Sequence, residues 1–158
     1  MLVEPESTCP IGLIISDAAR QLPHYDDDLD RPELLPTAVA AFRSEVAAAN
    51  AVLVVTPEYN GSLPGALKNA IDWASRPRGN APIDGLPTAV LSVSPSPRAA
   101  QWAREDAVKV LTVAGAVVED RSAGIGRVHE VLSDEDHVDL VAVGALVERL
   151  VEDTLVAA

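Results

Sequence analysis

Apolar residues along the chain fall into two alternating patterns. Four short runs are apolar and rich in branched residues: Ile11–Ile15, Ala51–Thr56, Thr88–Val93 and Ala116–Glu119. Near-continuous apolar runs of this length predict strands buried on both faces, as in a parallel sheet. Between them lie stretches of helical period. Glu33–Ala49 carries Leu34, Val39, Phe42 and Val46 on one stripe, with Asn50 as its stop. Pro64–Ser75 carries Leu67, Ile71 and Ala74, and Pro64 suits a first helical turn, where no N–H is needed. Pro97–Val113 is a third helix. Ser133–Val156 is a fourth, opened by Ser133 with Asp134, Glu135 and Asp136 complementing the helix dipole. The order β-α-β-α-β-α-β-α predicts an α/β fold: an open parallel sheet with right-handed crossovers.

Length and composition narrow this further. The 158 residues make one domain, expected over 11–158, preceded by a loose tail at 1–10. Hydrophobic residues at 48% support a packed core, and no apolar run is long enough to span a bilayer. The opening residues are acidic, unlike a secretory leader. A formal charge of −12 repels phosphate backbones, so no nucleic-acid partner and no membrane partner are expected. Cys9 is the only cysteine, and His24, His129 and His137 are scattered. Neither pattern builds a disulfide or a metal site, and a cytoplasmic location fits. The acidic run Asp26, Asp27, Asp28 and Asp30 reads as a solvated loop. Trp73 and Trp102 read as packing residues, and Asp84-Gly85 as a turn.

In an open α/β sheet, ligands bind beyond the carboxyl ends of the strands. The loop after Thr56 is the informative one: Pro57-Glu58-Tyr59-Asn60-Gly61-Ser62-Leu63-Pro64-Gly65. Its glycines let backbone approach a ligand. Its aromatic ring and N–H groups suit a flat ligand with polar edges. The same residues also serve a plain turn entering a helix, and spacing does not separate the two readings.

The segment TPEYNGSLPGALKNAIDW (Thr56–Trp73) closely resembles the signature of the NADPH-dependent FMN reductase family. Similarity extends from Leu22 to about Leu150. It takes in the acidic stretch Leu22–Asp30 before the second family helix and Gly126-Arg127-Val128-His129-Glu130 near the last family strand. The resemblance implies a flavodoxin-like three-layer sheet with helices on both faces, here reduced to about four strands. It implies FMN and NADPH as cofactors, with hydride passing through the flavin to a flavin, quinone or similar small-molecule electron acceptor. It places flavin contacts at Pro57, Glu58, Tyr59, Asn60, Gly61 and Ser62. No protein acid or base is required, because the cofactor carries the chemistry, so no catalytic residue is named. Family members are similar in forming dimers or tetramers, which implies a homodimer here through the Pro64–Ser75 helix.

Two segments depart from the family pattern. The family opens on a strand and a GSxRxxSxN loop that holds the FMN phosphate at a helix N-terminus. Here Ile11–Ile15 is either the family's second strand, with the first absent, or its first strand followed by an altered loop at Ser16–Arg20. Pairing of the backbone favours placing Ile11–Ile15 at the sheet centre. Asp17 would then stand where phosphate binds, with Leu22-Pro23 stopping any helix. The loop Ser94-Pro95-Ser96-Pro97-Arg98-Ala99-Ala100 has prolines where the family has glycines. A non-catalytic relative that keeps fold and interface is therefore the alternative reading, and a start codon lying further upstream is a third.

Overall fold

A computed structural model describes residues 12–119, 122–133 and 147–148. Its order is a 3-10 turn at Ala18–Arg20, then α1 (Thr37–Ala48), β1 (Val52–Thr56), α2 (Gly65–Ala74), β2 (Pro87–Val93) and α3 (Gln101–Ala114). Two short strands follow, β3 (Val117–Val118) and β4 (Ala123–Ile125), and then α4 (Val128–Ser133).

The sheet is parallel throughout, as the apolar runs predict. β1 pairs with β2 from Val52↔Thr88 to Thr56↔Ser92. β2 pairs at its start with β3 and at its end with β4. β2 is therefore central, and Thr88, Ala89, Val90, Leu91 and Ser92 are all buried. The sheet is an α/β layer of four strands.

Strand alternation divides the side chains between two faces. Val54 and Val90 turn to one face and meet Val39 and Phe42 of α1, Ile71 and Trp73 of α2, and Ala107 and Leu111 of α3. Ala89 and Leu91 turn to the other, with Leu53, Val93, Ala123 and Ile125 against them. The helix expected over Ser133–Val156 lies outside the described residues, apart from Ser133, Val147 and Glu148, which are helical.

Several expectations are corrected. Residues 12–15 form no strand, and Leu13, Ile14 and Ile15 are 76–85% exposed. Among the described residues β1 has only β2 as a partner, so this segment does not fill the centre of the sheet. An isolated apolar run carries no information about which strand will pair with it. Ser16 Oγ instead donates to Glu45 Oε2 of α1 at 3.0 Å, and the Ala18–Arg20 turn sits against α1 and α2.

The first helix starts at Thr37 rather than Glu33, because Pro36 fixes the entry and disfavours helix before it. Leu34 is consequently 56% exposed, off the apolar stripe. α3 begins at Gln101 rather than Pro97, because Ala99 and Ala100 take left-handed conformations. Val128–Ser133 is helical, so Ser133 follows five helical residues instead of opening a helix.

Candidate functional site

The loop joining β1 to α2 leaves the carboxyl edge of the sheet, where the topology places ligands. Its centre is a tight hairpin. Tyr59 and Ser62 exchange backbone hydrogen bonds of 3.0 and 3.1 Å across Asn60 (φ 53°) and Gly61 (φ 75°). Two successive positive φ values are the mark of the type I′ turn, for which Asn-Gly is the preferred pair. Gly61 is thus demanded by the turn itself. A Cβ placed on it would lie 3.4 Å from Cε3 of Trp102. The loop is a turn, and it leaves the Asn60 and Gly61 N–H groups without a bonding partner among the described residues.

Two carboxylates fasten this loop to α3. Glu58 Oε2 accepts from the backbone N–H groups of Trp102 (3.1 Å) and Ala103 (3.3 Å). It satisfies the first turn of a helix whose own N-cap, Ala100, offers no side chain. One turn along, Ser62 Oγ donates to Asp106 Oδ2 at 2.8 Å. Lys109 Nζ donates to Asp106 Oδ1 at 2.8 Å. The Lys109 and Ser62 hydrogen bonds hold the Asp106 carboxyl below its ordinary range, so it is an anionic acceptor at neutral pH.

The six predicted site residues therefore divide by role. Glu58 and Ser62 turn their side chains to α3. Tyr59 (62% exposed), Asn60 and Pro57 face outward, and Gly61 presents backbone. Trp102, read from sequence as a packing residue, is 51% exposed and carries Arg98 over its ring at 4.8 Å. It stands against the Gly61 turn and joins the site.

The loop after β2 is held from beneath. Buried Ser92 Oγ donates to Ala99 O at 2.5 Å, and Arg104 Nη1 donates to Ser92 Oγ (2.8 Å) and Ala99 O (3.2 Å). β4 approaches so closely that a Cβ on Gly124 would collide with Arg104 Nη1 and lie 2.9 Å from Ala99 O. Ser94 and Ser96 cap the loop's own N–H groups at Ser96 and Arg98. With Pro95 and Pro97 lacking donors, this loop offers carbonyls more than N–H groups.

The rest of the signature builds architecture. Asn69 accepts the Tyr25 N–H (2.8 Å) and donates to Pro23 O (2.9 Å), while Trp73 Nε1 donates to the same carbonyl at 2.8 Å. Tyr25 meets Trp73 edge-on at 4.8 Å. Arg43 bridges Asp30 (2.8 Å) and Trp73 O (2.9 Å). These contacts pin the acidic 22–30 stretch onto α2. Burial, reinforced by Asp27 and Asp30, raises the Tyr25 pKa and keeps its hydroxyl neutral.

A flavin ring needs N–H donors for its polar edge and flat neighbours for its faces. The free Asn60 and Gly61 N–H groups and the Tyr59 and Trp102 rings fit that need. A phosphate needs a helix N-terminus or a nest of N–H groups. The first-turn donors of α3 at Trp102 and Ala103 are taken by Glu58, and the turn at Ala18–Arg20 lies beside α1 and α2. The described residues therefore fit the ring, and the first turn of α3 leaves no free donors at Trp102 and Ala103 for a phosphate. Among them no group of three or more His, Cys, Asp or Glu could hold a metal ion.

Comparison with known proteins places this geometry. A quinone reductase of Pseudomonas putida is 54% identical over 74 residues, covering 47% of this chain and 39% of that protein. A 2-hydroxy-1,4-benzoquinone reductase from Burkholderia is 48% identical over 73 residues, covering 46% and 39%. The matched stretch thus spans about two fifths of these relatives' own length. The solved structure of FerB, a flavoenzyme NAD(P)H:(acceptor) oxidoreductase from Paracoccus denitrificans, superposes with a TM-score of 0.71 at 33% identity. That superposition covers 86% of this chain and 75% of FerB. The profile described as NADPH-dependent FMN reductase matches residues 11–130, most of the chain and all of the site above, and the chain belongs to that family.

Proposed function

We propose that this chain is an NAD(P)H-dependent oxidoreductase that holds FMN at the β1–α2 loop and passes reducing equivalents to a quinone or flavin. The observation that carries this is the I′ turn at Tyr59–Ser62. It stands at the carboxyl edge of the sheet with two N–H groups free and two aromatic rings beside it. The quinone reductase activities of the relatives support the acceptor class, and nothing in them favours the non-catalytic alternative. When bound, the flavin supplies the hydride chemistry. The chain's own part is positional. Asn60 and Gly61 would donate to the ring's polar edge, and the Tyr59 and Trp102 rings would lie beside it. Glu58 and Ser62 hold the loop to α3. Pro57 sets the exit from β1.

In this reading residues 11–158 act as one domain in the cytoplasm and pair as a homodimer. The stripe Leu67, Ile71 and Ala74 does not supply that contact. Ile71 and Ala74 are buried in the core, and Leu67 packs against it. The supporting surface is the outer face of α2 and α3, where a groove of about 670 Å³ is lined by Lys68, Asp72, Lys109 and Val113, the last 84% exposed. Light scattering giving the mass of a single chain at micromolar concentration would remove the dimer. No helix among the described residues is long and apolar enough to cross a membrane.

The activity test is NADPH oxidation by the chain with added FMN and benzoquinone. Turnover that requires both is expected. Its absence when FMN is bound would overturn the enzymatic reading.

A further inference from the structure

The carboxylate of Asp106 divides its two oxygens. Oδ1 takes the Lys109 ammonium and Oδ2 takes the Ser62 hydroxyl. Lys109 is 70% exposed, and an exposed i,i+3 ion pair contributes little. The contact with consequence is the one to Ser62, which spans 44 residues and ends in the candidate loop. The Tyr59–Ser62 turn has only its two cross-turn bonds internally, and both Tyr59 and Asn60 face solvent. Its orientation is therefore set at its flanks. Glu58 ties one flank to the first turn of α3, and Asp106 ties the other one turn further along. With two attachments on one helix face, the turn has a fixed direction. With one, it can pivot.

We propose that Asp106 is a positioning residue of the candidate site: by holding Ser62 it fixes the direction in which Asn60 and Gly61 present their N–H groups to a flavin. The inference rests on the flavin reading above. It goes beyond it by placing a determinant of affinity on α3, outside the signature loop.

The test compares the full chain with Asp106→Ala, Asp106→Asn, Ser62→Ala and the Ser62→Ala/Asp106→Ala double variant. Two readouts are taken: amide exchange at Tyr59 and Ser62 without ligand, and FMN affinity by fluorescence quenching. Asp106→Ala and Ser62→Ala should each speed exchange and weaken FMN by about tenfold, the scale of one lost charge-assisted hydrogen bond. The double variant should be no worse than either single one, since both remove the same contact. Asp106→Asn keeps an oxygen for the Ser62 hydroxyl and should stay within about threefold of the parent. Unchanged exchange in Asp106→Ala, equal damage from Asp106→Asn, or a loosened turn with unchanged FMN affinity would each overturn the proposal. A parent chain that binds no FMN would instead overturn the flavin reading, while the exchange readout still decides whether Asp106 holds the turn.

Discussion

Gly61 shows how a backbone conformation selects a residue. Its φ of 75° belongs to the left-handed region, while a Cβ on it would only touch the Trp102 ring at an ordinary contact distance. Alanine at this position adopts that conformation at a cost of about 1–2 kcal/mol. Gly61→Ala should therefore lower the urea midpoint of the chain as well as its affinity for flavin. A variant with unchanged stability would mean that the I′ turn is not formed. The demand on Gly61 was legible in sequence, because Asn-Gly after an apolar strand marks a tight turn. The duties of Glu58 and Ser62 were not. Their partners at Trp102, Ala103 and Asp106 lie 44 or 45 residues away, and no local spacing reports on a contact at that separation.

At the level of elements, legibility followed how much of the deciding physics was local. α2 was read to within a residue because Pro64 fixes its entry. β1 and β2 were read because branched runs of that length, between helices, have few other places to go. Ile11–Ile15 has the same texture, yet residues 12–15 are exposed and do not pair with the edge of β1 that is open among the described residues, since an apolar run alone does not specify its pairing. β3 and β4 are so short that their pairing with β2, rather than their own residues, defines them. α3 makes a quantitative case. Its N-terminus is capped by Glu58, a residue from another element. Glu58→Ala should destabilise the chain by about 1 kcal/mol, the usual worth of a lost helix cap. Glu58→Gln should recover part of this, since its amide oxygen still accepts. Equal stabilities of parent and Glu58→Ala in urea titration would show that the cap does not form.

Across the whole molecule, the four-stranded sheet, the helix layer over Val54 and Val90, and the β1–α2 loop form one arrangement, with β2 at its centre. The acidic stretch 22–30, whose run of aspartates reads from sequence as a solvated loop, is tied to α2 and α1 by Asn69, Trp73 and Arg43. The ring end of a flavin finds donors and flat neighbours. The phosphate end finds the α3 first-turn donors already occupied by Glu58. This asymmetry predicts recognition by the ring rather than by the phosphate. A phosphate held by two or three charge-assisted hydrogen bonds would improve affinity by about 10²–10⁶ over a flavin without one. The decisive measurement is calorimetric titration of the chain with FMN and with riboflavin. Saturable binding of both flavins, with dissociation constants within about tenfold of each other, is the predicted result. FMN binding with riboflavin more than about a hundredfold weaker would contradict recognition by the ring, and failure of both flavins to bind would contradict the assignment of the Tyr59–Ser62 turn as a flavin site.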